Sequence, residues 1–243
     1  MLIRMLLRRR EVLLPTPTGW LLLLVVVALA ATIIGRALPD MLTVDAPAHG
    51  PDGRGARTLV VEGWLEARDL DHALPAIRSG RYQRVLTTGG PVETWDGRAD
   101  WNSYAERAAA YLTQHGTGGV AVSAVAAPPT EHDRTYRSAV TVREWTRTAG
   151  VGLDAIDVFT AGLHARRSRA VFRLAFGPDT EVGVRAAPHR DEVRRWWTNS
   201  RGAKAVLGET VSLAWTTCCF WPSTAAEGIE PAAPTSNAIA PSS

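Results

Sequence analysis

The sequence predicts an α/β domain, a Rossmann-like parallel sheet with helices on both faces, preceded by one N-terminal transmembrane helix. Three observations carry this expectation. From residue 58 onward, short β-branched runs alternate with longer amphipathic stretches, the order of strands that feed covering helices. Two of the short runs, in RVLTTGG and DVFTAG, end in glycine punctuation. An apolar run without charge, 20–34, opened by Trp20 and closed by Ile34, lies near the N-terminus.

At 243 residues the chain is long enough for one well-buried domain with appendages and short for two independent cores. The expected organisation is a basic cytoplasmic N-terminus over 1–18, an anchor over 19–38, a Pro/Gly/Asp-rich linker over 39–56, the α/β domain over 57–222 and a disordered tail over 223–243.

The apolar run sits near the lower length limit for a span at about 1.5 Å per residue. Arg4, Arg8, Arg9 and Arg10 precede it, whereas Arg36 is followed by Asp40, Asp45 and Asp52. The positive-inside rule then puts the N-terminus in the cytoplasm and the domain outside, on a single-pass inner (cytoplasmic) membrane protein. Ala28-Leu29-Ala30 also reads as a signal-peptidase site, but the apolar run continues through Ile33 and Ile34, which favours an uncleaved anchor. These arginines account for the net charge of +3 and the pI near 9.2, so the basic balance is no sign of nucleic acid.

In chain order the strands are expected at 58–62, 84–88, 120–125, 155–161 and 181–186. Helices are expected at 66–79, 101–115, 134–149 and 165–176, with a further pair at 191–197 and 203–220. In the third, Tyr136, Ala139, Val140, Val142 and Trp145 recur at helical spacing. Glu209 interrupts the last apolar run and argues against a second span. Cys218 and Cys219 are adjacent, closer than the usual disulfide window, and are expected as two small buried hydrophobes. No metal-ligand spacing occurs and no cofactor is named by the sequence.

Ligands of a parallel sheet collect at the carboxyl ends of its strands. That rule gathers Glu62, Gly63 and Trp64, then Thr88, Gly89 and Gly90, then the segment TAGLH ending at His164. Gly89 and Gly90 let backbone approach an anion, or simply make a tight turn. The long connection 91–100 is of the kind that serves function. His164 and Arg167, three residues apart at a helix start, make a phosphate or carboxylate site, or His164 simply bonds to local backbone there, while Arg166 and Arg169 are expected in solvent or beside acids. Glu62 reads as a general base, a holder of a ligand hydroxyl, or a structural partner of the loop after the second strand. GxSxG, P-loop and GxGxxG patterns do not occur.

VVEGW, TTGG, DRTYRSA and TAGLHARRSRAVF, in this order, resemble the YdcF/SanA/ElyC family of bacterial envelope proteins. The likeness covers 58–183 and extends through RRWWTNSRG. Thr88, Gly89 and Gly90 match that family's glycine turn, Thr135 its threonine, and His164 with Arg167 its His-x-x-Arg pair. Tyr104-Ala105 stands where the family has Glu-Ala, with Glu106 following, and Ser138 stands where it has Asn. The resemblance implies a Rossmann-like domain on a membrane anchor, a role in envelope biogenesis or barrier function, and a phosphate-bearing envelope ligand.

Three functional readings follow. The first is a membrane-anchored protein that binds or processes a phosphorylated envelope intermediate, with His164 and Glu62 as catalytic candidates and Gly63, Trp64, Thr88, Gly89, Gly90, Thr135 and Arg167 as ligand-binding ones. The second is a non-catalytic scaffold, suggested by the departures and by nine tryptophans, of which Trp64, Trp95 and Trp101 would line a cleft and Trp196 and Trp197 face a partner or membrane, with core packing the alternative for about half of these rings. The third, a transferase with a nucleotide-like cofactor, has fold-level support only.

Overall fold

A computed structural model describes residues 16–50, 52–92, 100–189 and 191–222. The chain forms two compact units, 1–38 and 39–243. The first contains most of helix α1, Pro17–Leu42, capped by Thr16, whose hydroxyl accepts from the Gly19 N–H, with Pro17 at the first helical position. Its mean hydropathy is 2.6 over an 18-residue window and none of that window is buried, so the helix is long and apolar enough to cross a membrane.

The second unit is an α/β domain around a five-stranded parallel sheet in the order β3-β2-β1-β4-β5. Its strands are β1 (Thr58–Glu62), β2 (Arg84–Gly89), β3 (Ala121–Ala126), β4 (Ala155–Ala161) and β5 (Glu181–Ala187). The chain winds outward from β1 to β3 and then returns to the other side of β1. The order therefore reverses between β1 and β4.

β1, β2 and β4 are buried almost throughout, as strands covered on both faces must be. On one face Leu59 and Val61 pack with Leu70, Leu74, Ile77, Ala108 and Leu112 from helices α2 (Ala67–Asp71), α3 (Leu74–Arg78) and α4 (Tyr104–Gln114). On the other, Val60, Ile156 and Val158 pack with Ala139, Val140, Val142, Phe172 and Ala175 from α5 (Arg134–Thr148) and α6 (Ala165–Phe176). Two cores flank one sheet.

The expected helix 66–79 is two short ones, because Pro75 sits near the start of the second and the chain breaks ahead of it. α4 begins at Tyr104 rather than at 101, since Ser103 accepts from the Glu106 N–H and the Glu106 carboxylate accepts from the Asn102 N–H. After β5 come α7 (Asp191–Arg194), a 3-10 turn at Trp196–Thr198, and α8 (Ser200–Cys218), capped by Asn199.

Residues 39–56, expected as a linker, belong to this unit: Leu42 and Ala48 are buried and Ala46 pairs with Val184 at the β5 edge. The cysteine expectation is also overturned. α8 has no buried residue after Glu209, and Cys218 and Cys219 are exposed and joined to each other. The expected tail, 223–243, and residues 93–99 of the long connection lie outside the described residues.

Candidate functional site

A cleft of about 680 Å³ opens at the carboxyl edge of the sheet, where the strand order reverses. Glu62 reaches it from the end of β1, Thr88 and Gly89 from the end of β2, and His164 from the 3-10 turn Gly162–His164 that follows β4. Thr135 and Ser138 come from α5, Arg167 and Val171 from α6, and Val211, Trp215 and Phe220 from α8 and beyond. The floor is polar and the α8 side is apolar.

His164, Arg167 and Glu209 form the charged centre. His164 Nδ1 lies 2.7 Å from Glu209 Oε2, and Arg167 donates through Nε to Oε1 at 2.5 Å and through Nη2 to Oε2 at 3.3 Å. Arg167 Nη2 is also 3.1 Å from His164 Nδ1, but a carboxylate accepts only, so the Nδ1 proton belongs to the bond with Glu209. Both donors then converge on one carboxylate, and Nε2 is the ring nitrogen left for a ligand. Trp64 meets the imidazole edge to face at 4.7 Å, fixing the ring plane from the other side. Burial pushes the Glu209 carboxyl up, but the hydrogen bonds and charges of His164 and Arg167 outweigh it and hold the group below the usual carboxylate range. A carboxylate that orients an imidazole in this way prepares it to take or give a proton at Nε2.

Glu62 is buried and accepts from the Ser168 hydroxyl of α6 at 2.9 Å. Its partner is therefore α6, not the loop after β2, and it still borders the cleft. Thr88 donates to the Ser138 carbonyl at 3.4 Å, and Thr135 accepts from Arg167 Nη1 at 3.4 Å. α5 follows Asp133, a left-handed residue at φ 54° that makes no side-chain cap, and Asp133, Arg134 and Thr135 border the cleft, so the positive end of this helix lies beside it.

One expected ligand residue is placed elsewhere. Gly63 does not line the cleft: its N–H donates to the Thr88 carbonyl at 2.6 Å, its carbonyl accepts from Arg107, and a Cβ there would run into the Tyr104 carbonyl. It is glycine because α4 crosses directly above it. Gly89 is tight for the same reason, a Cβ meeting Tyr104 Cβ at 2.8 Å, whereas a Cβ at Gly90 would find nothing nearer than 3.9 Å.

Tyr104 and Ser138 both line the cleft, so the two departures from the family pattern fall within it. Glu106 is occupied in capping α4. Trp64 lines the cleft, Trp101 does not, and Trp95 lies outside the described residues. Arg166 is exposed, as expected, and donates to the Met41 carbonyl, whereas the half-buried Arg169 donates to the Val182 carbonyl. The residue missed is Glu209. Its signal was an acid at helical spacing from Gly202 and Val206, the other two buried positions of α8.

Set against family models, curated proteins and solved structures, the chain matches none of them.

Proposed function

We propose that the chain is a membrane-anchored, YdcF-like protein of the cell envelope, with its α/β domain outside the cytoplasm, that binds a phosphate-bearing envelope intermediate. In this reading His164 is the group that moves a proton. The observation that carries it is that Thr88, Gly89, Gly90, Thr135, His164 and Arg167 all border one cleft. The start of α5, at the cleft's border, brings the positive end of a helix dipole to an anion there. The apolar side formed by Val211, Trp215 and Phe220 suits a ligand with a hydrocarbon part beside its charge.

The scaffold reading has one observation in its favour, the engagement of Arg167 by Glu209, which leaves less free positive charge for a phosphate. Thermal melting separates the two. Inorganic phosphate, a uridine nucleotide and a short-chain polyprenyl phosphate are added to the full-length chain and to His164→Ala. A ligand at about 100-fold its Kd stabilises the native state by about 2.7 kcal/mol. A rise in Tm with a phosphate compound, absent in a folded His164→Ala, is expected. No rise with any of the three in the parent chain would set the phosphate reading aside in favour of the scaffold.

A further inference from the structure

Residues 194–204 carry Arg194, Arg195, Arg201 and Lys204, the pair Trp196-Trp197, and no acid. All four cations are exposed, as is Trp197. Residues 210–222 then hold no charged side chain at all, and no residue of α8 beyond Glu209 is fully buried. Leu207, Val211 and Trp215 are 49%, 69% and 58% exposed, and Trp221 is 87% exposed. Four-residue spacing lines the first three up on one side of α8. On the other side Val206 and Glu209 are buried, Glu209 bonding to Arg167 of α6. Water is a poor solvent for such a stripe.

A cluster of cations and tryptophans followed by an uncharged aliphatic and aromatic face is the composition of a helix that lies in a lipid interface. The cations complement anionic headgroups, and indole rings settle at headgroup depth.

We propose that the face formed by Trp197, Leu207, Val211, Trp215 and Trp221, with the neighbouring cations, docks on the anionic surface of the bilayer that holds α1. The proposal rests on the reading of α1 as an anchor, and two residues of this face, Val211 and Trp215, also line the cleft.

The test uses the full-length chain in vesicles of phosphatidylcholine and phosphatidylglycerol whose acyl chains carry bromine, which quenches indoles that touch them. Trp20→Phe removes the tryptophan of α1. The chain floats with the vesicles, tryptophan quenching persists in the Trp20→Phe background, and most of it is lost when Trp215→Phe and Trp221→Phe are added. Both rings are exposed, so these variants keep the fold, as circular dichroism checks. Quenching also weakens when phosphatidylglycerol is left out. A chain that floats but shows no quenching in the Trp20→Phe background, or none that depends on Trp215 and Trp221, overturns the docking and leaves the anchor standing. A chain that does not float removes the anchor and the docking together. Disulfide cross-linking of Leu207→Cys copies without quenching assigns the face to a second copy of the chain.

Discussion

Asp157 and Glu209 are both buried carboxylates beside an arginine, one within the sheet and one at its edge, yet their surroundings push them in opposite directions. Asp157, in β4, accepts from the Tyr82 hydroxyl and the Ala48 N–H, each at 2.7 Å, with Arg81 at 3.6 Å. Burial dominates there and raises the Asp157 carboxyl above its usual range; burial and the adjacent acid also raise the Tyr82 phenol. Glu209 has an imidazole and a guanidinium in direct contact, and its carboxyl is lowered. The first cluster is centred on the buried Tyr82 and Ala48, with Arg81 half-buried beside them, and it borders no part of the cleft. The second is built around a side chain, His164, that still borders open space. Similar residues make a fastening in one place and hold an imidazole at the border of a cleft in the other.

Removing Asp157 gives the largest expected effect. Asp157→Ala strands the Tyr82 hydroxyl, the Ala48 N–H and Arg81, and breaking a buried pair of this kind costs about 3–5 kcal/mol. The urea midpoint of the full-length chain should fall accordingly, with Tyr82→Phe costing about 1–3 kcal/mol. A loss well under about 1 kcal/mol in Asp157→Ala would mean that the cluster fastens nothing. The same contrast of closed and open ground recurs in two successive glycines. Gly89→Ala forces a Cβ onto Tyr104 and should cost about 1–3 kcal/mol, whereas Gly90→Ala should stay within about 0.5 kcal/mol. Equal losses at the two positions would erase the distinction.

Much of this arrangement was legible in the sequence because it follows from local pattern. β1, β4 and α6 form where β-branched runs and helical spacing place them, and the strand-end rule brings Glu62, Thr88 and His164 to one cleft. What was not legible depends on partners far apart in the chain. Glu209 interrupts an apolar run, and only the folded chain brings it to Arg167, 42 residues away. Gly63 looks like a ligand contact until α4 is seen to pass over it. Asp157 drew no attention inside a hydrophobic strand, since its partners Tyr82 and Ala48 come from elements that periodicity does not connect. The Cys218–Cys219 bond runs against the usual spacing, and sequence rules do not anticipate it.

The smallest expected effect is a tilt of stability with pH, and it tests the comparison at its root. Glu209 titrates below its unfolded value of about 4.3, so the folded chain binds fewer protons in that window. Its contribution is whole above the unfolded value and is lost as pH falls through the depressed folded one. Asp157 is the reverse: raised above about 3.9, it contributes fully below that value, and the contribution is lost as pH rises through its folded value. Urea midpoints of the parent chain, Glu209→Gln and Asp157→Asn, taken from acid to neutral pH, read both slopes. Relative to the parent, Glu209→Gln should lose ground as pH rises toward the unfolded carboxylate value and then run parallel. Asp157→Asn should gain ground over its own window. Glu209→Gln also releases Arg167 from its acid, so inorganic phosphate should raise its Tm more than that of the parent if the cleft takes anions. A gap between Glu209→Gln and the parent that does not change with pH would show that His164 and Arg167 do not hold the ionised form. Glu209 would then be packing, and the case for His164 as a prepared proton carrier would fall with it.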